Sequence, residues 1–109
     1  MIEIIFEPKA FRLTLKGHAG AAKRGADLVC AAASMLAFTL AERAQQLSRS
    51  GGALQASITL EAGDGEICLL PACGHRRQVK EMFATACAGF RLLAKMEPGY
   101  VKFRERKSL

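Results

Sequence analysis

Residues 17–34 read GHAGAAKRGADLVCAAAS, and the fold depends on where the strand pattern before this stretch gives way to the helix pattern at its end. The residues before it alternate between apolar and charged side chains, which is typical of a half-buried strand. The residues after its last glycine form a long apolar run with the length of a helix. Its small residues and glycines indicate a loop. We therefore predict a strand that ends near Lys16, a loop over residues 17–26 and a helix that begins near Asp27.

A histidine and a cysteine lie on either side of this loop. If the helix begins near Asp27, Cys30 falls in its first turn, where unpaired N–H groups and the helix dipole favour an anion. A free cysteine is mostly thiol at neutral pH unless a helix N-terminus or an imidazolium lowers its pKa. His18 can accept a thiol proton if the loop brings it close. The alternatives are a small buried cysteine and a loop histidine that bonds backbone.

Two motifs in the segment, GHA at 17–19 and GxDxVCAAxS at 25–34, resemble the ribosomal-processing cysteine protease family, Prp. The resemblance extends over the chain in its length and in the order of its elements. It implies a small bacterial cytoplasmic protease, homodimeric, that removes the N-terminal extension of a large-subunit ribosomal protein precursor. It also implies that His18 and Cys30 form the catalytic pair.

Four further residues support this interpretation of the segment. With the resemblance, the loop is interpreted as a flap over bound peptide, in which Gly20 and Gly25 supply flexibility. The residues alone favour an ordinary connection. Asp27 is either the N-cap that bonds the N–H of Cys30 or the group that orients His18. Ser34 either donates to the site or bonds a helix carbonyl.

The rest of the chain predicts a single α+β domain over residues 1–109, with one mixed sheet and helices packed against it. Its expected order is strand-strand-helix-strand-strand-helix-strand. The first helix is apolar almost all the way round, so we expect one side to pack on the sheet and another to meet a second subunit. The predicted strands cover 2–6, 11–16, 55–61, 66–70 and 100–105, and the predicted helices cover 27–48 and 75–96.

Composition limits the class of protein. The chain has 109 residues and is 50% hydrophobic, enough for one core. Its longest apolar run, residues 28–41, is shorter than the ~20 residues of a membrane span. Glu3 and Glu7 stand where a signal peptide would be basic. We expect a cytoplasmic protein with no membrane partner.

The remaining cysteines carry no catalytic pattern. Their spacing with His75 matches no common zinc module, so we expect no metal and no cofactor. No resolving cysteine lies close in sequence to Cys30, which disfavours a thiol redox protein. His75 is interpreted as a capping or surface residue. The cysteines interpreted as structural are Cys68, Cys73 and Cys87.

The formal net charge of +6 leaves a second function open, a non-enzymatic basic module that binds ribosomal RNA or assembly intermediates. For a protease, the same charge gives at most weak proximity to ribosomal RNA. Because ribosomal protein tails are themselves basic, we expect apolar pockets rather than these cations to select the substrate. The basic stripe consists of Arg12, Lys16, Lys102, Arg104 and Arg106.

Overall fold

A computed structural model describes residues 1–18 and 24–107, except the side chains of residues 24–27. The chain forms the predicted α+β domain, and its elements follow the predicted order. The two helices are α1 (Arg24–Arg49) and α2 (Arg76–Met96). The five strands are β1 (Ile2–Glu7), β2 (Arg12–Lys16), β3 (Ala53–Glu61), β4 (Asp64–Pro71) and β5 (Val101–Glu105).

The sheet has the order β3-β4-β2-β1-β5 and is mixed, because β1 and β5 pair in parallel while the other neighbours are antiparallel. The register of β2 on β4 sets Lys16 opposite Asp64. The chain therefore leaves β2 directly beside the turn that joins β3 to β4. This pairing brings together two segments that lie far apart in the sequence.

Alternation along the strands turns one face of the sheet toward the helices. Ile4, Leu13 and Ile67 are fully buried on this face, and Phe83 and Phe90 of α2 are fully buried against it. Phe6 stacks on Phe83 with ring centroids 5.7 Å apart. The opposite face carries charged side chains, as the period of two predicts.

Helix α1 buries only one side within the chain. Val29, Ala37 and Leu40 belong to the core, whereas Leu28 and Met35 are 71% and 66% exposed. One side of the helix packs within the chain as expected, and the contact of the other side with a second subunit stays a prediction. Among the residues described, neither helix has the length and hydropathy needed to cross a membrane.

The start of α1 differs from the prediction. The helix begins at Arg24 rather than Asp27, so Gly25 lies inside the helix and not in the loop. Glycine lowers helix propensity by about 1 kcal/mol relative to alanine, and this local signal favoured a later start. Tertiary packing of the apolar face further along the helix outweighs it.

Candidate active site

A cleft of about 370 Å³ opens between α1, the end of β2 and the turn that joins β3 to β4. Three residues predicted for the site, His18, Cys30 and Ser34, line this one cleft. Their placement follows from the fold, because β2 delivers His18 while α1 presents Cys30 and Ser34 one turn apart. The rest of its described lining includes Ile2, Leu15, Gly17, Ala33, Ala37, Phe38, Leu60, Glu61, Ala62, Gly63, Asp64 and Gly65.

The exposed ring of His18 stands on the backbone of Gly63. A Cβ placed on Gly63 would lie 2.5 Å from Nε2 of His18 and 2.9 Å from its Cε1, so any other residue there would displace the ring from this position. Gly63 also has a φ of +77°, which glycine adopts readily. The N–H of Gly17 donates to the carbonyl of Gly63 at 3.0 Å, and the backbone before His18 is thereby fixed to the same turn.

The position of Cys30 within α1 corrects one physical argument from the sequence. Cys30 is half-buried and is the seventh residue of α1, so it lies beyond the first turn. An α-helix leaves N–H groups unpaired only in its first turn. Residues 24–26 of that turn lie about 6 to 9 Å before Cys30 along the helix axis. The helix start therefore does not act on this thiol in the way predicted.

Two of the supporting residues can be placed. Asp27 is the fourth residue of α1, so its interpretation as the N-cap is wrong. Its side chain lies outside the described residues, and its role toward His18 stays a prediction. Ser34 is exposed in the cleft. Thr39 bonds the carbonyl four residues earlier at 2.7 Å, but Ser34 makes no such bond within the described part of the chain.

The predicted flap falls largely outside the structure. Gly20 and the rest of residues 19–23 are not among the described residues, so the flap stays a prediction. Gly25 belongs to α1 and cannot serve as a loop hinge in this arrangement. The described part of the predicted loop, Gly17 and His18, is held by the β3–β4 turn.

A cysteine protease needs a thiol nucleophile and a general base, and a half-buried cysteine and a histidine in one cleft can supply both. The sequence profile of the family described as cysteine protease Prp matches residues 1–102 of the chain. The chain belongs to this cysteine protease family. It is a cysteine protease, as the motifs indicated.

Solved structures share the fold of this Prp chain. SMU.848 from Streptococcus mutans is 22% identical, with 98% of this chain and 93% of that chain covered and a TM-score of 0.68. The Staphylococcus aureus ribosomal processing protease Prp, with a covalently linked product peptide, is 16% identical, with coverages of 97% and 100% and a TM-score of 0.72. The structure of the same protease with a substrate peptide is 14% identical, with 97% of this chain and 100% of that chain covered and a TM-score of 0.72. No curated protein matches the chain.

The other cysteines of this Prp chain lie away from the cleft. Cys73 is exposed, and the thiol of Cys68 donates to the carbonyl of Ala10 at 3.5 Å. Cys87 is buried on α2. Its burial raises the pKa of its thiol to about 12, an effect that Arg91 partly offsets and Glu105 reinforces. His75 is the N-cap of α2 and its ring contacts the carbonyl of Cys73 at 3.2 Å.

Sequence reasoning missed the wall of the cleft that the β3–β4 turn provides. The sequence predicts strands over 55–61 and 66–70 and assigns the residues between them no part in the site. The turn supplies the glycine under the His18 ring, and Glu61 and Asp64 bring carboxylates to the cleft. Only the pairing of β2 with β4 connects this turn to His18, and neither local pattern specifies that pairing.

Proposed function

We propose that Cys30 is the nucleophile and His18 the general base of an endopeptidase that removes the N-terminal extension of a large-subunit ribosomal protein precursor. The observation that carries the proposal is the single cleft lined by both side chains. Within the described residues, Cys30 is the cysteine that shares a cleft with a histidine. A cysteine protease needs a thiol that solvent and substrate can both reach.

The proposed reaction follows the usual course for a cysteine nucleophile. His18 accepts the proton from Sγ of Cys30, and the thiolate attacks the carbonyl carbon of the scissile bond. The imidazolium then returns the proton to the departing amine as the C–N bond breaks. Water, deprotonated by His18, hydrolyses the thioester and releases the new carboxyl group together with the free thiol.

The oxyanion of the tetrahedral intermediate needs a donor other than the one first predicted. The N–H of Cys30 lies inside α1, where it bonds the carbonyl four residues earlier. The hydroxyl of Ser34 is exposed in the cleft one turn away and makes no helix-carbonyl bond among the described residues. This favours the interpretation in which Ser34 donates to the site.

The cleft suits a substrate with mixed chemistry. Phe38 and Leu60 offer apolar surface for side chains next to the scissile bond. Glu61 and Asp64 are the acidic residues of its described lining. A basic ribosomal protein segment would therefore meet carboxylates in the cleft. These carboxylates attract the segment locally, although the chain as a whole carries a net charge of +6. The solved relative whose fold this chain shares is itself a ribosomal processing protease bound to a peptide.

A second copy of the chain is the proposed partner for the exposed side of α1. Leu28 and Met35 are separated by seven residues and therefore share one helix face. Burying this apolar face in a homodimer would remove it from water. Sedimentation of the Leu28→Glu/Met35→Glu variant should give a monomer. A dimer that persists in this variant contradicts the assignment of the interface.

The alternative of an RNA-binding module on the basic stripe has less support. Acidic residues accompany that stripe on the outer face of the sheet, with Arg12 3.9 Å from Glu7 and Arg104 3.5 Å from Glu3. Exposed pairs of this kind add little stability. They do cancel much of the charge that a phosphate backbone would meet.

A ribosomal protein precursor as substrate agrees with a protease that acts in the cytoplasm.

The deciding experiment incubates the protein with the N-terminally extended ribosomal protein precursor and measures the product masses. Cys30→Ala should remove cleavage, with a loss on the order of 10⁴-fold or more, because the nucleophile is gone. Cys73→Ala is the matched control, since that thiol is exposed and outside the cleft. Cleavage by Cys30→Ala contradicts the proposal. Equal loss from Arg104→Glu/Arg106→Glu, with Cys30→Ala active, would favour the RNA-binding module.

A further inference from the structure

A second concave surface lies at the opposite end of β1 and β2 from the catalytic cleft. This α2 groove, of about 430 Å³, runs between α2 and the turn that joins β1 to β2. Arg76, Lys80 and Arg91 line it from α2, and Lys9 lines it from the turn. The span from residue 76 to residue 91 is about 22 Å along the helix. The groove shares no lining residue with the catalytic cleft.

The cations of the α2 groove lack the acidic partners that the outer sheet face has. Glu105 is the acidic residue of the groove's described lining, and it pairs with Arg91 at 2.8 Å. Lys9, Arg76 and Lys80 make no ion pair among the described residues. Three positive charges therefore remain uncompensated on one concave surface.

The first turn of α2 adds to this positive potential. It begins with two arginines, Arg76 and Arg77, and contains no acidic residue. The N-cap residue, His75, makes no side-chain capping bond. Cations near a helix N-terminus oppose the helix dipole, at a cost of a few tenths of a kcal/mol to about 1 kcal/mol each. An anion bound in the groove would relieve this repulsion.

The floor of the groove is apolar and shapes the kind of anion it can hold. Phe6 and Phe11 lie beneath the cations. The guanidinium of Arg76 lies over the ring of Phe11, 5.1 Å from its centroid. A guanidinium held this way keeps its N–H groups available for a phosphate. A ligand with phosphates on one edge and flat apolar groups on the other would fit both the rim and the floor.

We propose that the α2 groove binds single-stranded RNA through its phosphate backbone. A peptide would need several acidic residues in a row to match cations spread along the groove, whereas every nucleotide carries a charge. The net charge of +6 favours the approach of such a polyanion. Phosphate contacts do not distinguish RNA from DNA, so the choice of RNA over DNA rests on the proposed ribosomal function.

The test measures fluorescence anisotropy of a short labelled oligouridylate with the full chain over a series of salt concentrations. Arg76→Glu/Lys80→Glu should weaken binding by about tenfold or more and flatten the slope of log affinity against log salt by about 1.4. Arg104→Glu/Arg106→Glu is the matched control. It lowers the formal net charge of +6 by the same amount but alters the outer sheet face. It should cost less than about threefold.

Further arms make each outcome decisive. Lys80→Glu alone should weaken binding about threefold even if the double variant unfolds, since Lys80 is exposed. Equal losses from both double variants would mean that net charge alone binds RNA, and the groove assignment fails. Displacement by oligoglutamate as effective as by unlabelled oligouridylate would overturn the choice of RNA. Salt-independent binding, or none, would overturn the proposal, and peptide cleavage should stay unchanged in every variant.

Discussion

Cys30 on α1 and Cys87 on α2 have similar neighbours in the sequence, but their thiols differ greatly in burial and in access to solvent. Both cysteines are followed by an alanine and lie on long helices that pack against one sheet. Cys30 is half-buried at a cleft of about 370 Å³ that also contains His18. Cys87 is fully buried among the side chains of the core. The difference comes from where each helix face points, which depends on the tertiary fold.

The comparison also separates two effects of burial on a thiol. Full burial of Cys87 removes solvent, and this loss of hydration raises the pKa of its thiol to about 12. Partial burial of Cys30 leaves one side open to the cleft, where a substrate carbonyl can approach. A catalytic cysteine therefore belongs at the boundary of a core rather than in its centre.

The largest expected difference between the two regions is in alkylation of the native protein. Iodoacetamide at neutral pH should modify Cys30 on the order of a thousand times faster than Cys87, because alkylation of Cys87 requires both an opening of the core and a thiolate. Mass spectrometry of the tryptic peptides measures each rate. The exposed Cys73 is an internal reference for an accessible thiol.

Substitution of His18 sharpens this measurement. His18→Ala should slow alkylation of Cys30 to about the rate of Cys73 and leave the rates of Cys73 and Cys87 unchanged. An unchanged rate at Cys30 would contradict the proposed pairing of the two side chains. Rapid modification of Cys87 in the native protein would contradict its full burial.

A smaller effect is expected when the support under the His18 ring is altered. Gly63→Ala should lower kcat by about 10- to 100-fold with little change in KM, because the new methyl group displaces the imidazole. It should also slow alkylation of Cys30, a readout that a purely structural role would not change. Gly63 is in this sense a positioning residue.

Gly74→Ala is the matched control for this substitution. Gly74 has a φ of +85°, close to the +77° of Gly63, but a Cβ at Gly74 would meet nothing within 4 Å. Both variants should lose about 1 kcal/mol of stability from the left-handed backbone. Equal activity in the two variants would show that the ring does not depend on Gly63.

The sequence predicted which residues lie near one another better than it predicted how they are held. The motif places His18, Cys30 and Ser34 in one short segment, and the structure has all three at one cleft, while their roles stay predictions. The start of α1 was placed three residues late, because Gly25 is a poor helix former and Asp27 a good N-cap. Because the helix starts earlier than predicted, Cys30 lies beyond its first turn, and the predicted stabilisation of its thiolate by the helix dipole does not apply.

What local patterns could not predict is the contact between residues far apart in the sequence. Gly63 lies 45 residues beyond His18, and the two meet through the pairing of β2 with β4. Cys87 differs in this respect, because it lies four residues after Phe83 and three before Phe90 and so falls on the apolar stripe of α2. Helix periodicity can therefore indicate the inert thiol, whereas the support under the His18 ring depends on strand pairing, which is a tertiary property.

The smallest expected effect is on stability at alkaline pH, and it is confined to Cys87. The pKa of this thiol rises from 9.0 to about 12 on folding, so its neutral form stabilises the native state below pH 9. As pH rises from about 8 to about 10, the unfolded thiol ionises and the native one does not, at a cost of about 1.4 kcal/mol. Cys87→Ala should lack this loss. Urea titrations of both proteins at the two pH values measure it, and parallel losses of stability in the two proteins would contradict the burial of the thiol.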